Sequence, residues 1–137
     1  MLGRMIFELE DSEVAQVSLE GETLQIRFSA ARLYDAERTG AGEGVWQPLL
    51  LICKRLAQVD KGLEVDLTEI LSAVGRVQHA QLQIAGQRLR SLPLPFDSDA
   101  DFALELEFAG GLLCRLKCQG LELRAMPSQC AVGSYQC

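Results

Sequence analysis

The sequence has few of the residue types on which catalytic and metal sites depend. It contains one histidine and one tryptophan, and aromatic residues make up 6% of the chain. Because His79 is the one histidine of the sequence, a histidine-rich metal site is excluded. His79 also lies in the polar phase of a strand pattern, together with Gln81 and Gln83. In the sequence, no serine or cysteine has a neighbouring base that would activate it as a nucleophile. We therefore expect no catalytic residues and no cofactor, and a protein that is not an enzyme.

Basic residues and long apolar runs are scarce as well. The chain has 13 Lys and Arg against 19 Asp and Glu, a net charge of −6, whereas nucleic acids and anionic membranes bind dense Lys/Arg surfaces. No apolar run approaches the roughly 18 residues of a membrane span, and the N-terminus has no signal-peptide core. Five cysteines are an odd number without framework spacing. We expect a cytoplasmic protein with reduced thiols that binds neither nucleic acid nor membrane.

Two short patterns match parts of metal sites. Cys114 and Cys118 form a C-x-x-x-C pair, but four residues of a strand cover about 13 Å. Two thiolates on one zinc ion must each lie about 2.3 Å from it. The aspartates of segment 97–101 match the start of a calcium loop, but its sixth and twelfth positions are Phe102 and Phe108. We expect a polar loop at 97–101 and no metal site.

Alternation of apolar and polar residues predicts three β-hairpins. Their predicted turns are Gly21-Glu22, Gly86-Gln87 and the three-residue loop Ala109–Gly111. The apolar pairs that these turns create are, in the same order, Leu19 with Leu24, Ile84 with Leu89, and Leu106 with Cys114. In the third hairpin the register also sets Glu105 opposite Arg115 on the outer face.

The middle of the chain is less regular. Residues 29–44 lose the alternation and predict a loop, whose polar side chains include Arg32 and Tyr34. Residues 48–59 fit either a strand covered on both faces or a helix with Pro48 in its first turn; the surrounding strands favour the strand. In such a strand Pro48 lies at its start, at a bulge or on an edge. An edge position would make Leu49, Leu50, Leu51 and Ile52 a surface for a partner.

Helical spacing is found in one short stretch. Leu67, Ile70, Leu71 and Val74 recur at helical intervals, and Asp66 can cap the first turn. We therefore predict a short helix near 67–74. The polar residues 127–137 are expected to form a flexible C-terminal tail after a single β domain at 1–126.

One motif resembles a known family. Gly44-Val45-Trp46 is similar to the G-x-W of lipocalin-like barrels, which are antiparallel β proteins of about this length. That family has the motif on its first strand, whereas a whole hairpin precedes it here, and the family's disulfides are missing. The resemblance therefore implies the broad architecture alone.

Together these patterns predict an all-β fold of about eight strands, a mainly antiparallel β-sandwich or partly closed barrel with one short helix. The first functional hypothesis is a non-catalytic module that binds another protein or itself, as in a homodimer. The alternative is a barrel that encloses a small apolar ligand. In that case Trp46 would form one wall, with Arg32 and Tyr34 at the mouth.

Overall fold

Nine β-strands run through the residues described by the computed structural model, which are 5–35, 45–59 and 70–126. Their bounds are β1 Met5–Glu20, β2 Thr23–Asp35, β3 Val45–Cys53, β4 Leu56–Val59, β5 Gly75–Ile84, β6 Gln87–Leu89, β7 Ser91–Leu94, β8 Phe96–Phe108 and β9 Leu113–Ala125. The predicted all-β class is confirmed.

Six of the strands close into an antiparallel barrel. They follow the order β5-β8-β9-β3-β2-β1, and β1 returns to β5 through the pairs Glu13 with Arg76 and Val14 with Gly75. Strands β6 and β7 extend the sheet beside β5 and β1, and β4 pairs with β9. Of the two predicted architectures, the barrel is therefore the one adopted, and it is closed.

The interior of the barrel is filled by one cluster of apolar side chains. The alternating residues of all six strands point inward, and the largest of them are Phe7, Phe28, Leu9, Leu24, Ile26, Leu33, Leu49, Leu51, Leu82 and Leu104. The rings of Phe7 and Phe28 meet edge to face, with their centroids 5.1 Å apart. Burial of this face explains why the hairpin registers are specific, since a slip of one residue would expose the whole set.

Strand β1 bends where it changes partner. Asp11 has a φ of 72°, and the pairing with β2 is interrupted between Glu8 and Glu13. The Ser12 hydroxyl lies inside this bend, donates to the carbonyl oxygen of Glu8 at 2.7 Å and accepts from the amide of Arg32 at 2.9 Å. The side chain thus replaces backbone bonds that the bulge removes.

Strand β3 lies in the middle of the barrel wall. It pairs with β2 on one side and with β9 on the other, which confirms the strand favoured for the start of 48–59. Pro48 faces a bulge in β2 between Phe28 and Ala31, and the pairing with β9 begins only at Leu49. The missing N–H of the proline therefore interrupts no regular ladder.

The first and third hairpins have the predicted registers, whereas the second does not. Leu19 pairs with Leu24, and Glu105 with Arg115. In the second hairpin the turn is Ala85-Gly86 and Leu89 pairs with Leu82. The prediction was wrong because it required glycine at the first turn position. Ala85 instead takes a φ of 52° and Gly86 one of 81°, as a type I′ turn requires.

Residues 29–35 of the loop predicted at 29–44, and the whole loop predicted at 97–101, are in fact strand, whereas 36–44 lie outside the described residues. Strand β2 continues to Asp35, so Arg32 and Tyr34 lie on it, and β8 already begins at Phe96, so the aspartates of 97–101 alternate along its exposed face. In β2 a bulge shifts the phase of alternation, so the apolar residues after Phe28 no longer match the period of those before it. In β8 the alternation continues without a break, and the polar composition of 97–101 alone suggested a loop.

Some predictions concern segments outside the described residues. Of the helix predicted near 67–74, residues 67–69 lie outside; Ile70 and Leu71 have helical conformation, but residues 72–74 do not, so the helix predicted to reach Val74 is not present there. The predicted tail, 127–137, also lies outside. Among the described residues, no helix is long and apolar enough to cross a membrane.

Candidate interaction surface

Apolar and aromatic side chains form a patch on the outside of β7, β1, β2 and β3. One cross-strand row consists of Pro93, Ile6 and Tyr34. In the adjacent row, Glu8 pairs with Arg32, which pairs with Trp46. We call Ile6, Arg32, Tyr34, Trp46 and Pro93 the Trp46 patch.

The exposure of Trp46 distinguishes this patch from the rest of the described surface. Trp46 is 54% exposed and its neighbour Val45 is 52% exposed. Among the described residues, the one other exposed large apolar side chain is Val74. A tryptophan that leaves half its surface in water loses the stabilisation that its burial would give, about 25 cal/mol per Å². Trp46 lies on the outer face of β3 opposite Arg32, whereas Val45 pairs with the buried Leu33 and points to the other face of the strand.

Arg32 is held in position at the centre of the patch. Its Nη1 lies 3.1 Å from Oε1 of Glu8 and 3.5 Å from Oδ2 of Asp11. Its amide donates to the hydroxyl of Ser12, so the backbone is fixed as well. A guanidinium that is already oriented loses less side-chain entropy when another molecule contacts it.

The three residues predicted to bind a ligand are brought together, but on the outer face. Arg32 and Trp46 are direct cross-strand partners, and Tyr34 is two residues from Arg32 along β2. They line no interior cavity, because the inward positions of these strands belong to Ala31, Leu33 and the rest of the apolar cluster. Sequence reasoning missed Ile6 and Pro93, because the pairing of β7 with β1 has no local signal.

The four residues predicted as a partner surface divide between the two faces of β3. Leu49 and Leu51 point inward and are fully buried. Leu50 and Ile52 are on the outer side, where Leu50 is half-buried and Ile52 is 6% exposed. Because β3 has neighbours on both sides, this run is not an edge, and most of its apolar surface is already covered.

A second feature is a shallow groove on the outside of β5, β8 and β9. A depression of about 180 Å³ is centred on Ala103 and lined by Gln81, Gln83, Glu105, Arg115 and Lys117. Arg115 Nε lies 3.3 Å from Oε2 of Glu105. The groove is polar, and its ion pair is the one expected from the register, worth about 0.2–1 kcal/mol at such an exposed position.

His79 lines a neighbouring depression of about 170 Å³, which shares Gln81 and Glu105 with this groove. Its Nδ1 is 3.2 Å from Oε2 of Glu10, and the carboxylate also accepts from the amide of Ala80 at 3.3 Å. Both side chains are exposed, an arrangement typical of a surface pair. Among the described residues, no group of three or more His, Cys, Asp or Glu side chains could hold a metal ion.

Two buried thiols face the interior of the barrel, Cys53 at the end of β3 and Cys118 on β9. A side-chain hydrogen bond with Cys118, followed by burial, raises the pKa of Cys53 well above its ordinary value. The same bond lowers the pKa of Cys118, although burial opposes it.

The fold and the patch define a small, closed antiparallel β-barrel with a filled interior and an aromatic surface on its outer wall. Comparison with protein-family models, curated proteins and solved structures found no match. The function is therefore argued from the geometry of the barrel itself.

Proposed function

We propose that this barrel is a non-catalytic module that binds another protein through the Trp46 patch. The observation that carries the proposal is the half-exposed Trp46 beside an Arg32 that two carboxylates hold in place. Tryptophan, tyrosine and arginine are the residues most enriched at the energetic centres of protein interfaces. All three occur here within two neighbouring rows of one sheet.

The chemistry of the patch indicates what kind of partner fits. Its apolar row suits an apolar or aromatic side chain, and the adjacent row presents two carboxylates, Glu8 and Asp11, around a single guanidinium. The chain as a whole carries a net charge of −6. A partner with basic residues around an apolar centre therefore fits better than a second copy of this acidic chain.

A small apolar ligand inside the barrel is less well supported. Barrels that hold one small ligand have about eight strands, whereas this one has six in its closed wall. The inward side chains of the described residues already form one buried cluster. Cys53, Cys114 and Cys118 form no disulfide, which supports the expectation of a reducing, cytoplasmic environment.

The test replaces the tryptophan after the partner has been identified. A photo-cross-linking amino acid at position 46 would capture the partner in cells, and mass spectrometry would identify it. The purified pair would then be titrated by calorimetry. We expect Trp46→Ala to weaken binding by about 30-fold or more, the effect of losing about 2 kcal/mol at an interface centre.

Val74→Ala is the matched control. Val74 is 60% exposed, so its truncation removes a similar exposed apolar side chain away from the patch. We expect this variant to bind as the unsubstituted protein does. Equal affinity of the Trp46→Ala variant and the unsubstituted protein would refute the proposal. A dimer in light scattering that Trp46→Ala dissociates would show that the partner is a second copy.

A further inference from the structure

The outward positions of β8 carry a carboxylate in every case but one. These alternating positions are occupied by Asp97, Asp99, Asp101, Ala103, Glu105 and Glu107. Ala103 therefore interrupts an otherwise acidic row with a small, uncharged side chain. Its direct cross-strand neighbours are Gln83 of β5 and Lys117 of β9. The row thus has a gap where these two longer side chains stand on either side.

The gap distinguishes Lys117 from the preceding outward cation on the same strand. Arg115 faces Glu105 across the sheet and its Nε lies 3.3 Å from Oε2 of that carboxylate. The residue of β8 that faces Lys117 is Ala103, which offers no charge. The ammonium group of Lys117 therefore lacks a carboxylate at the cross-strand position where Arg115 has one.

Two depressions of the surface meet over Ala103. The first is the groove of about 180 Å³ described above, and the second has a volume of about 380 Å³. Both are lined by Gln83, Ala103 and Lys117, and the second also reaches Arg55 and Gln119. We call the two together the Ala103 groove. Sites for small molecules usually have volumes of about 300–1,000 Å³, so the groove has room for a small molecule.

The turn that carries Arg55 is fixed to β9. The amide of Lys54 donates to the carbonyl of Gly120 at 2.8 Å, and the amide of Gln119 donates to the carbonyl of Lys54 at 3.1 Å. Arg55 follows directly, with a φ of 51°. Neither Arg55 nor Lys117 forms an ion pair with any residue that the structure describes. Two cations are therefore available at the groove, and the backbone of one is already held in place, which reduces the entropy lost on binding.

The charge of the groove is opposite in sign to that of the chain. Its described lining includes three cations, Arg55, Arg115 and Lys117, and two carboxylates, Asp101 and Glu105. The chain as a whole has a net charge of −6. A local excess of positive charge in a concave site favours an anion there.

We propose that the Ala103 groove binds a small organic anion, whose phosphate or carboxylate group contacts Lys117 and Arg55. The rest of the molecule lies over Ala103, where the side-chain amides of Gln81 and Gln83 can donate hydrogen bonds to its polar groups or accept hydrogen bonds from them. The site lies on β5, β8 and β9 and in the turn before β4, so it is independent of the partner binding proposed above.

The experiment titrates the full chain, labelled with ¹⁵N, at constant ionic strength. The probes are inorganic phosphate, glycerol 3-phosphate and succinate, and amide chemical shifts are followed by NMR. We expect saturable shifts at the amides of Ala103, Lys117 and Gln119. Either glycerol 3-phosphate or succinate should saturate at a lower concentration than inorganic phosphate, and the tighter of the two identifies the anionic group. The absence of saturable shifts at these amides with all three probes would overturn the proposal.

Three variants test whether the groove itself is responsible. Ala103→Glu completes the acidic row and places a carboxylate opposite Lys117, so it should abolish the saturable shifts while the spectrum remains that of a folded protein. We expect Lys117→Gln to weaken binding about fivefold, the effect of losing one ion pair at an exposed site. Arg124→Gln is the matched control, because it removes the same charge from the same strand outside the groove and should bind the probes unchanged. Equal losses of affinity in Arg124→Gln and Lys117→Gln, or undiminished binding by Ala103→Glu, would show general attraction of anions and overturn the proposal.

Discussion

At the scale of single residues, Ser12 shows how the barrel tolerates a bend in its longest strand. It is the one fully buried polar side chain in the described core, and it satisfies a carbonyl on its own strand and an amide on the next. An alanine at this position would leave both backbone groups without their partner. The hydroxyl therefore supports the geometry of the bend and the position of Arg32 at once.

We expect Ser12→Ala to lower the free energy of unfolding by about 1–3 kcal/mol, the usual effect of leaving a buried polar group unsatisfied. Urea denaturation measures the change. Ser18→Ala is the control, because Ser18 is exposed on the same strand and its replacement should alter stability by less than about 0.5 kcal/mol. Equal stabilities of the two variants would show that the bend does not depend on the hydroxyl.

At the scale of elements, the turn between β5 and β6 is the clearest departure from ideal local chemistry. Ala85 occupies the left-handed region, which disfavours a residue with a Cβ, and Gly86 follows it in the same region. The amide of Ala85 donates to the carbonyl of Asp101 at 2.9 Å, so the conformation is held by the neighbouring strand β8. The rest of the sheet thus stabilises a turn that its own sequence does not favour.

We expect Ala85→Asn to raise the free energy of unfolding by about 0.5–1 kcal/mol, because Asn-Gly is the preferred type I′ pair and asparagine tolerates a positive φ. Thermal denaturation measures the shift. Gly86→Ala places a Cβ at a φ of 81° and should be destabilising. A decrease in stability for Ala85→Asn would contradict the turn assignment.

The strands could be predicted from the sequence wherever the alternation of apolar and polar residues continues without interruption. The hairpin of β1 and β2 and that of β8 and β9 were predicted in register, because a short turn and a continuous pattern determine each of them. The predictions failed at the turn of the second hairpin, at the bulge in β2, where the phase changes between Phe28 and Ala31, and at 97–101, where polar residues of β8 suggested a loop. A bulge adds one residue to a strand, and its position is determined by the pairing with the neighbouring strand rather than by the local sequence.

The candidate surface was predicted in composition but not in position. Arg32, Tyr34 and Trp46 were identified from their chemistry. Their meeting depends on the register of β2 with β3, in which Arg32 faces Trp46. No short turn sets this register. It follows from the closure of the whole barrel, and so does the placement of Pro93 beside Ile6.

At the scale of the whole molecule, the filled interior separates the two functional hypotheses. The inward side chains of the described strands leave the Trp46 patch as the main exposed apolar surface. A hydrophobic probe therefore has a place to bind on the outside of the barrel rather than within it. Any fluorescence of a bound probe then comes from the Trp46 patch, which also carries the proposed function.

We expect anilinonaphthalene sulfonate to bind the native protein weakly at most, and Trp46→Ala to abolish this binding. Fluorescence titration provides the measurement, with Val74→Ala as the control. Stoichiometric binding that persists in Trp46→Ala and is displaced by a fatty acid would instead establish an apolar site inside the barrel. That outcome would favour the ligand-binding hypothesis over the one proposed.

The two strands that end the described sheet are both poor templates for further backbone pairing. Strand β6 has three residues, and β7 contains Pro93 and is followed directly by Pro95, neither of which can donate a backbone hydrogen bond. Fibril growth requires an edge that offers a regular series of donors and acceptors. These strands offer few, so neither of them favours the addition of another strand through the backbone. The partner binding proposed above would then rely on side chains, and it would not require an extended segment.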